Sequence, residues 1–283
     1  MRQKVIWSVQ LSLVGLYALG LKAFYSTATA DDLLWILAPT TALVELLSGR
    51  RFEFESYAGY MSSDHSFVIA VPCAGVNFLI TAFLMLALRR LWRERFHAIS
   101  WSFLLMSVVL AYVATLLANT TRIWLALEMR AQSVWVEWLT NNQLHRLEGI
   151  LVYFLFLMLL FVVTERFETA KPANFARASL FPLLIYYATT LIIPLLNGSY
   201  QRGSAFWEHF AFVLVLPLLV MLPLFLQQIV TANLRTPASR SDESASLPAP
   251  STPDSPPSRP LRSFEKLHRR CRELRPRFPT RSS

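Results

Sequence analysis

The sequence predicts an all-α protein: a polytopic transmembrane helical bundle of about six to eight spans with a disordered C-terminal tail. Three observations predict it. Of the 283 residues, 54% are hydrophobic and 16% are charged, against about 25% charged in an ordinary soluble domain. The apolar residues come in long blocks, many of about 18 residues or more, which is the length a bilayer core requires. Inside lipid only helices or closed barrels satisfy every backbone polar group, so such blocks read as helices.

The first block, about 5–24, follows Arg2 and Lys4. No small-residue cleavage site clearly follows it and further blocks do, so it reads as a retained span rather than a signal peptide. The second, about 33–47, is short and contains Pro39 and Glu45. The third is about 66–88, the fourth about 100–127 and the fifth about 147–164. The sixth, about 179–196, carries Pro182 and Pro194, and the seventh, about 206–230, is interrupted by Pro217 and Pro223. No internal repeat is evident.

Lys and Arg in short loops orient the bundle. The loop at 89–97 holds Arg89, Arg90, Arg93 and Arg95, and that at 165–178 holds Arg166, Lys171 and Arg177. Both read as cytoplasmic, as does the Arg-rich tail after about 232. Alternation then puts the loops at 49–65, 128–146 and 197–205 outside. Arg2 and Lys4 favour an N-terminus inside, which alternation permits only if block two does not cross. A re-entrant or interfacial helix satisfies both, at the cost of placing Arg50 and Arg51 outside.

Two domains follow: a membrane domain at 1–232 and a cytoplasmic Pro/Ser/Arg-rich tail at 233–283. The tail from about 235 to 260 cannot bury a core. Residues 261–277 read equally as a basic helix on the membrane surface or as a solvated basic segment. The net charge of +9 sits largely in the loops and tail. It therefore points to anionic lipid rather than nucleic acid. The two cysteines, Cys73 and Cys271, lie in very different settings, which argues against a disulfide framework or a metal cluster. There is no Gly-rich phosphate loop and no His/Cys/Asp cluster with metal spacing, so no cofactor and no metal is expected.

Three polar features fall at the outer ends of consecutive spans. Cys73 lies in Pro72-Cys73-Ala74-Gly75-Val76-Asn77-Phe78 near the start of span three, with Asn77 one helical turn further on. By itself a cysteine in an apolar segment reads as a small buried hydrophobe. Arg122 lies in Asn119-Thr120-Thr121-Arg122-Ile123, with Asn119 on its face of span four. An arginine at the centre of a span costs about 2.5–3.5 kcal/mol on insertion scales, and an ionisable residue within a span is a functional candidate; snorkelling to the headgroups is the bland alternative. His145 opens span five in His145-Arg146-Leu147-Glu148-Gly149, where Gly149 lets another helix approach closely. Alone, His145 reads as an interfacial histidine. The loop charges, which take no account of these residues, put all three at one depth. A thiolate stabilised by a neighbouring His or cation is a nucleophile. A fixed Arg can stabilise the oxyanion formed when it attacks a carbonyl, and His can protonate the leaving amine.

At these residues the chain resembles the exosortase/archaeosortase family. The resemblance rests on Cys-Ala-Gly-Val-Asn-Phe, then Asn-Thr-Thr-Arg-Ile, then His with Gly four later, each at the outer end of a successive span. It covers about 65–165, and its Gly-Val-Asn-Phe continuation is most similar to the subtype called exosortase K. The resemblance implies a membrane-embedded cysteine transpeptidase, without a cofactor, in the cell (inner) membrane, its site on the periplasmic or extracellular face. It implies partners too: secreted proteins whose C-terminal sorting signal joins a short motif, a hydrophobic helix and a basic cluster. Cleavage would pass through a thioester to a surface acceptor. Cys73 would be the nucleophile, Arg122 the oxyanion stabiliser and His145 the general acid and base, with Asn77, Asn119 and Gly149 in support. Rival readings are an envelope glycan polymerase or acyltransferase, which needs no cysteine, and a non-catalytic transport or assembly protein. The latter expects polar residues along a path through the bilayer rather than at one face.

Overall fold

The computed structural model describes residues 2–131, 140–168 and 175–235, of which those up to 232 form one compact unit. Its helices are α1 (Arg2–Thr27), α2 (Leu34–Ser48), α3 (Val76–Arg93), α4 (Trp101–Ala131) and α5 (Asn141–Glu168). They continue as α6 (Phe175–Tyr187), a π-helical segment (Ala188–Ile192), α7 (Ile193–Leu196) and α8 (Ser204–Arg235). Six stretches are long and apolar enough to cross a membrane: Arg2–Thr27, Val71–Arg93, Trp101–Ala131, Gln143–Phe167, Ala178–Leu196 and Phe206–Gln227. This is the fold of a multi-pass membrane protein, with spans where the apolar blocks lie. The tail, with Cys271 and the basic segment 261–277, lies outside the described residues.

Side-chain contacts fix which helix ends meet. Near the start of α1, Trp7 Nε1 donates to the Leu91 carbonyl at 3.1 Å. The fully buried Gln10 donates to the Ile99 carbonyl at 2.7 Å and accepts from the Ile99 N–H at 3.0 Å. Near the other end of α1, the Tyr25 hydroxyl donates to the Val71 carbonyl at 3.3 Å. The N-terminal end of α1 therefore lies level with the Arg-rich end of α3, and its C-terminal end with the segment that enters α3. At the Arg-rich end, Arg89 and Arg93 approach Glu165 of α5 at 3.2 and 3.9 Å. Between the two ends, Phe83, Met85, Phe154, Leu157 and Phe161 form the main apolar core.

The contact of Tyr25 with Val71 also decides the path of the segment between them. The chain leaves α1 and returns to α3 at one end of the bundle, so α2 makes no net crossing. Its 15 residues span about 22 Å, less than the roughly 30 Å of a hydrocarbon core. This answers the parity conflict between Arg2 and Lys4 and the later loops.

The all-α expectation holds for the bundle, and one loop adds a small element to it. The loop after α2 contains a three-stranded antiparallel sheet, β1 (Phe52–Glu55), β2 (Gly59–Ser62) and β3 (Val68–Ile69), in the order β1-β2-β3. Phe52 pairs with Ser62 and Tyr60 with Ile69. The alternation in Phe52-Glu53-Phe54-Glu55 has the two-residue period of a half-buried strand. Gly59 lies beside the hairpin turn at φ 112°, where an added Cβ would meet the Ile69 carbonyl oxygen at 2.4 Å, so only glycine fits. Glu45 accepts the Phe52 N–H at 2.7 Å, which gives a charged residue in an apolar helix a structural task. Below the sheet, Leu33, Ile36, Leu37, Ile69, Val76 and Ile123 form a second apolar cluster.

Candidate active site

The nucleophile candidate lies at the start of span three, just before its α-helix rather than inside it. Cys73 ends a single 3-10 turn, Val71–Cys73, with Pro72 inside it. Gly75 at φ 72° then resets the chain before α3 begins at Val76. A side chain there would be strained in φ and would sit 3.2 Å from Asn119 Cγ and Thr115 Cγ2, so the close approach of α4 requires glycine as well. The Cys73 side chain is partly buried. Tyr25 of α1 holds this turn from the other side through the Val71 carbonyl.

Helical phase is interrupted between Cys73 and Asn77 by Gly75, and the Asn77 side chain has its hydrogen-bond partner on α1. It is exposed and accepts from Lys22 Nζ of α1 at 2.8 Å. Asn119 does meet the Cys73 turn. It is fully buried, its Nδ2 donates to the Cys73 carbonyl, and its Oδ1 accepts from the Tyr153 hydroxyl at 2.9 Å. One amide thus ties the nucleophile turn, α4 and α5 together, using both its donor and its acceptor.

Arg122 is one helical turn beyond Asn119 on α4. Its guanidinium lies over the Tyr153 ring, 5.4 Å from the centroid, and is close enough to Cys73 for the two to interact electrostatically. The Tyr153 ring in turn stacks on Phe78 at 5.0 Å and 17°. Gly149 packs directly beside Arg122: a Cβ there would lie 3.5 Å from Arg122 Cδ. Arg122 Nε is buried and has no hydrogen-bond partner among the described residues. A buried donor without a partner is rare in folded proteins and calls for a water, an ion or a ligand.

His145 is half exposed, and its contact is with Glu148, Nδ1 to Oε2 at 3.2 Å, not with the thiol. Cys73, Arg122, Asn119 and Gly149 are therefore brought into one cluster. His145 lies on the same helix as Gly149 and Tyr153 at four-residue intervals, which puts the three along one face of α5.

Two residues of the cluster were not among the sequence candidates. Tyr153 bridges Asn119 and Arg122, and Glu148 is the partner of His145. Glu148 carries a legible signal, because a carboxylate at the start of an apolar span is itself a functional candidate. Tyr153 carries a weaker one, its place two turns along the face of His145 and Gly149. Among the described residues no group of three His, Cys, Asp or Glu side chains is disposed to hold a metal ion. Comparison with protein-family models, with curated proteins and with solved structures finds no match to this chain.

Proposed function

We propose that this chain is a membrane-embedded cysteine transpeptidase of the exosortase/archaeosortase type. It would cleave a C-terminal sorting signal from secreted proteins at the outer face of the cell membrane and transfer them to a surface acceptor. The observation that carries the reading is the cluster in which Asn119 bonds the Cys73 carbonyl and the Tyr153 hydroxyl while Arg122 lies over the Tyr153 ring and interacts with Cys73, its Nε without a partner among the described residues. An unused cationic donor beside a nucleophile is what a developing oxyanion requires. The charge of the loops supplies the sidedness: the end of the bundle opposite Cys73 carries Arg89, Arg90 and Arg93 and reads as cytoplasmic.

The reaction runs in two acyl transfers. The Cys73 thiol gives its proton to His145, and the thiolate sulfur attacks the scissile carbonyl carbon. The C–O π electrons move to oxygen, where Arg122 stabilises the negative charge. Collapse breaks the C–N bond, and the imidazolium returns the proton to the departing amine. The thioester that remains is attacked by an acceptor nucleophile, which gives its proton to His145 as the C–S bond breaks and the thiol is restored. Because His145 rests on Glu148 rather than on the sulfur, proton exchange needs a bridging water or rotation of the half-exposed ring. Hydrogen bonds of this kind often tighten only when substrate is bound.

The test is a gel-shift comparison in cells that co-express a secreted protein with a hydrophobic C-terminal signal. The chain and its Cys73→Ala variant are compared at equal membrane abundance. Processing by the parent and none by the variant is the expected result. Equal processing by both would remove the cysteine mechanism and favour a polymerase or acyltransferase.

A further inference from the structure

Glu148 is the one acidic side chain at the Cys73 end of α5, among the described residues, that is almost wholly buried, at 8% exposure. One of its oxygens meets His145 Nδ1 at 3.2 Å, while Oε1 is buried with no partner among the described residues. Burying a carboxylate against a half-exposed imidazole is costly unless the pair has a task. No ion pair joins Glu148 and Arg122 within 4.0 Å among the described residues, although the two charges do sense one another. Sequence separation supplies the geometry: three residues along a helix bring His145 and Glu148 onto adjacent turns of one face.

We propose that Glu148 is a positioning residue for His145. Its carboxylate accepts the Nδ1–H, so that Nε2 carries the free lone pair and exchanges the proton with Cys73 and with the leaving amine. This rests on the transpeptidase reading and assigns the group that reading lacks, an orienter for the base. The logic is that of any nucleophile–base–carboxylate relay, in which the third member fixes the tautomer and stabilises the imidazolium. The other charged and titratable groups around the pair have different engagements. Arg122 of α4 faces Cys73 and Tyr153, and Tyr25 of α1 holds the Val71 carbonyl. Arg146 approaches Glu208 of α8 at 3.9 Å, Glu208 also accepts from Gln143 at 2.6 Å, and His209 lies within the field of Arg146.

The test needs no knowledge of the substrate. With only two cysteines in the chain, Cys271→Ser leaves Cys73 as the sole thiol. The purified full-length protein in detergent is alkylated with iodoacetamide at about pH 7 and about pH 10, the second well above the ordinary thiol range. The ratio of the two rates isolates the proton equilibrium from access to the sulfur. His145→Ala is expected to lower the ratio about tenfold. Glu148→Ala and the isosteric Glu148→Gln are each expected to lower it at least about threefold, with no further fall in the double variant with His145→Ala. Glu148→Gln conserves volume and keeps the test available should Glu148→Ala fail to fold. A fall with His145→Ala but a ratio unchanged by Glu148→Gln would overturn the role of Glu148 and leave the transpeptidase reading intact. No fall with His145→Ala would show that Cys73 and His145 share no proton in the substrate-free protein, which overturns the relay and the role of Glu148 with it.

Discussion

The hydrogen bonds of Asn119 give the sharpest quantitative expectation. Asn119→Ala removes the donor to the Cys73 carbonyl and the acceptor of the Tyr153 hydroxyl, two part-buried bonds made by a fully buried side chain. Interhelical hydrogen bonds in a membrane protein average about 0.6 kcal/mol, with a maximum near 1.7. Stranding a buried polar partner adds to that loss. Two bonds therefore place Asn119→Ala at about 1–3 kcal/mol. Tyr153→Phe is the cleaner partner change, because the ring keeps its stack on Phe78 and its place under Arg122. It should cost about 0.5–1.5 kcal/mol. Since one bond is shared, the double variant should be less destabilised than the two single losses together, with a coupling of about 0.5–1.5 kcal/mol. Reversible unfolding by SDS in mixed micelles, followed by the fluorescence of the eight tryptophans, measures all four corners of the cycle. Additivity within about 0.3 kcal/mol would mean that Asn119 and Tyr153 are not bonded, and the link between the nucleophile turn and α5 would fall with it.

Two further expectations come from other parts of the molecule. A Cβ on Gly149 would meet Arg122 only at ordinary contact distance, so Gly149→Ala should leave processing within about twofold, whereas Gly149→Leu should displace the guanidinium and lower processing at least tenfold, roughly the cost of a misplaced catalytic group; equal activity of the two would show that Arg122 does not need that space. In the turn after β2, hydrogen bonds from the Ser62 hydroxyl, then the Ser66 hydroxyl and N–H, hold the Asp64 carboxyl well below the usual carboxylate range. A depressed folded-state pKa means that these bonds support the turn above the ordinary value of about 3.9 and are lost as pH falls through the lower folded value. Hydrogen exchange at Ser66 and Phe67, corrected for its intrinsic pH dependence, should show protection falling only in strong acid. Asp64→Asn should abolish that step, and a step that survives the substitution would assign it to another group.

Much of this molecule is legible in the chain because a bilayer imposes one-dimensional rules. Apolar runs in α1, α3, α4, α5 and α8 are long enough to be recognised without any tertiary information, and Arg89, Arg90, Arg93 and Arg95 mark one end of α3 by their charge alone. The shortness of the α2 block, with Pro39 and Glu45, already argues against a crossing. Cys73 and Arg122 are legible for the same reason: reactive or charged groups stand out in an apolar background. The sheet was partly legible too, in the alternation of Phe52 to Glu55, but a loop between spans draws the eye to its charges rather than its period.

What the chain by itself determines is thus where the apolar blocks lie and the depth of the polar residues, since these follow from the cost of placing each side chain in hydrocarbon, whereas the count of crossings at the N-terminal end waits on the contact of Tyr25 with Val71. Tertiary structure alone decides which of those residues meet. The phase between Cys73 and Asn77 is broken by Gly75, so helical spacing misassigns Asn77, which turns to Lys22. The amide of Asn119 is claimed by the Cys73 carbonyl and by Tyr153, a residue 34 positions away. His145 is held by Glu148, and Arg122 by the face of Tyr153. Such pairings depend on the rotation of each helix about its axis and on the packing of Gly75 and Gly149 against their neighbours. Both are settled by contacts between distant segments, which no local pattern in the chain encodes.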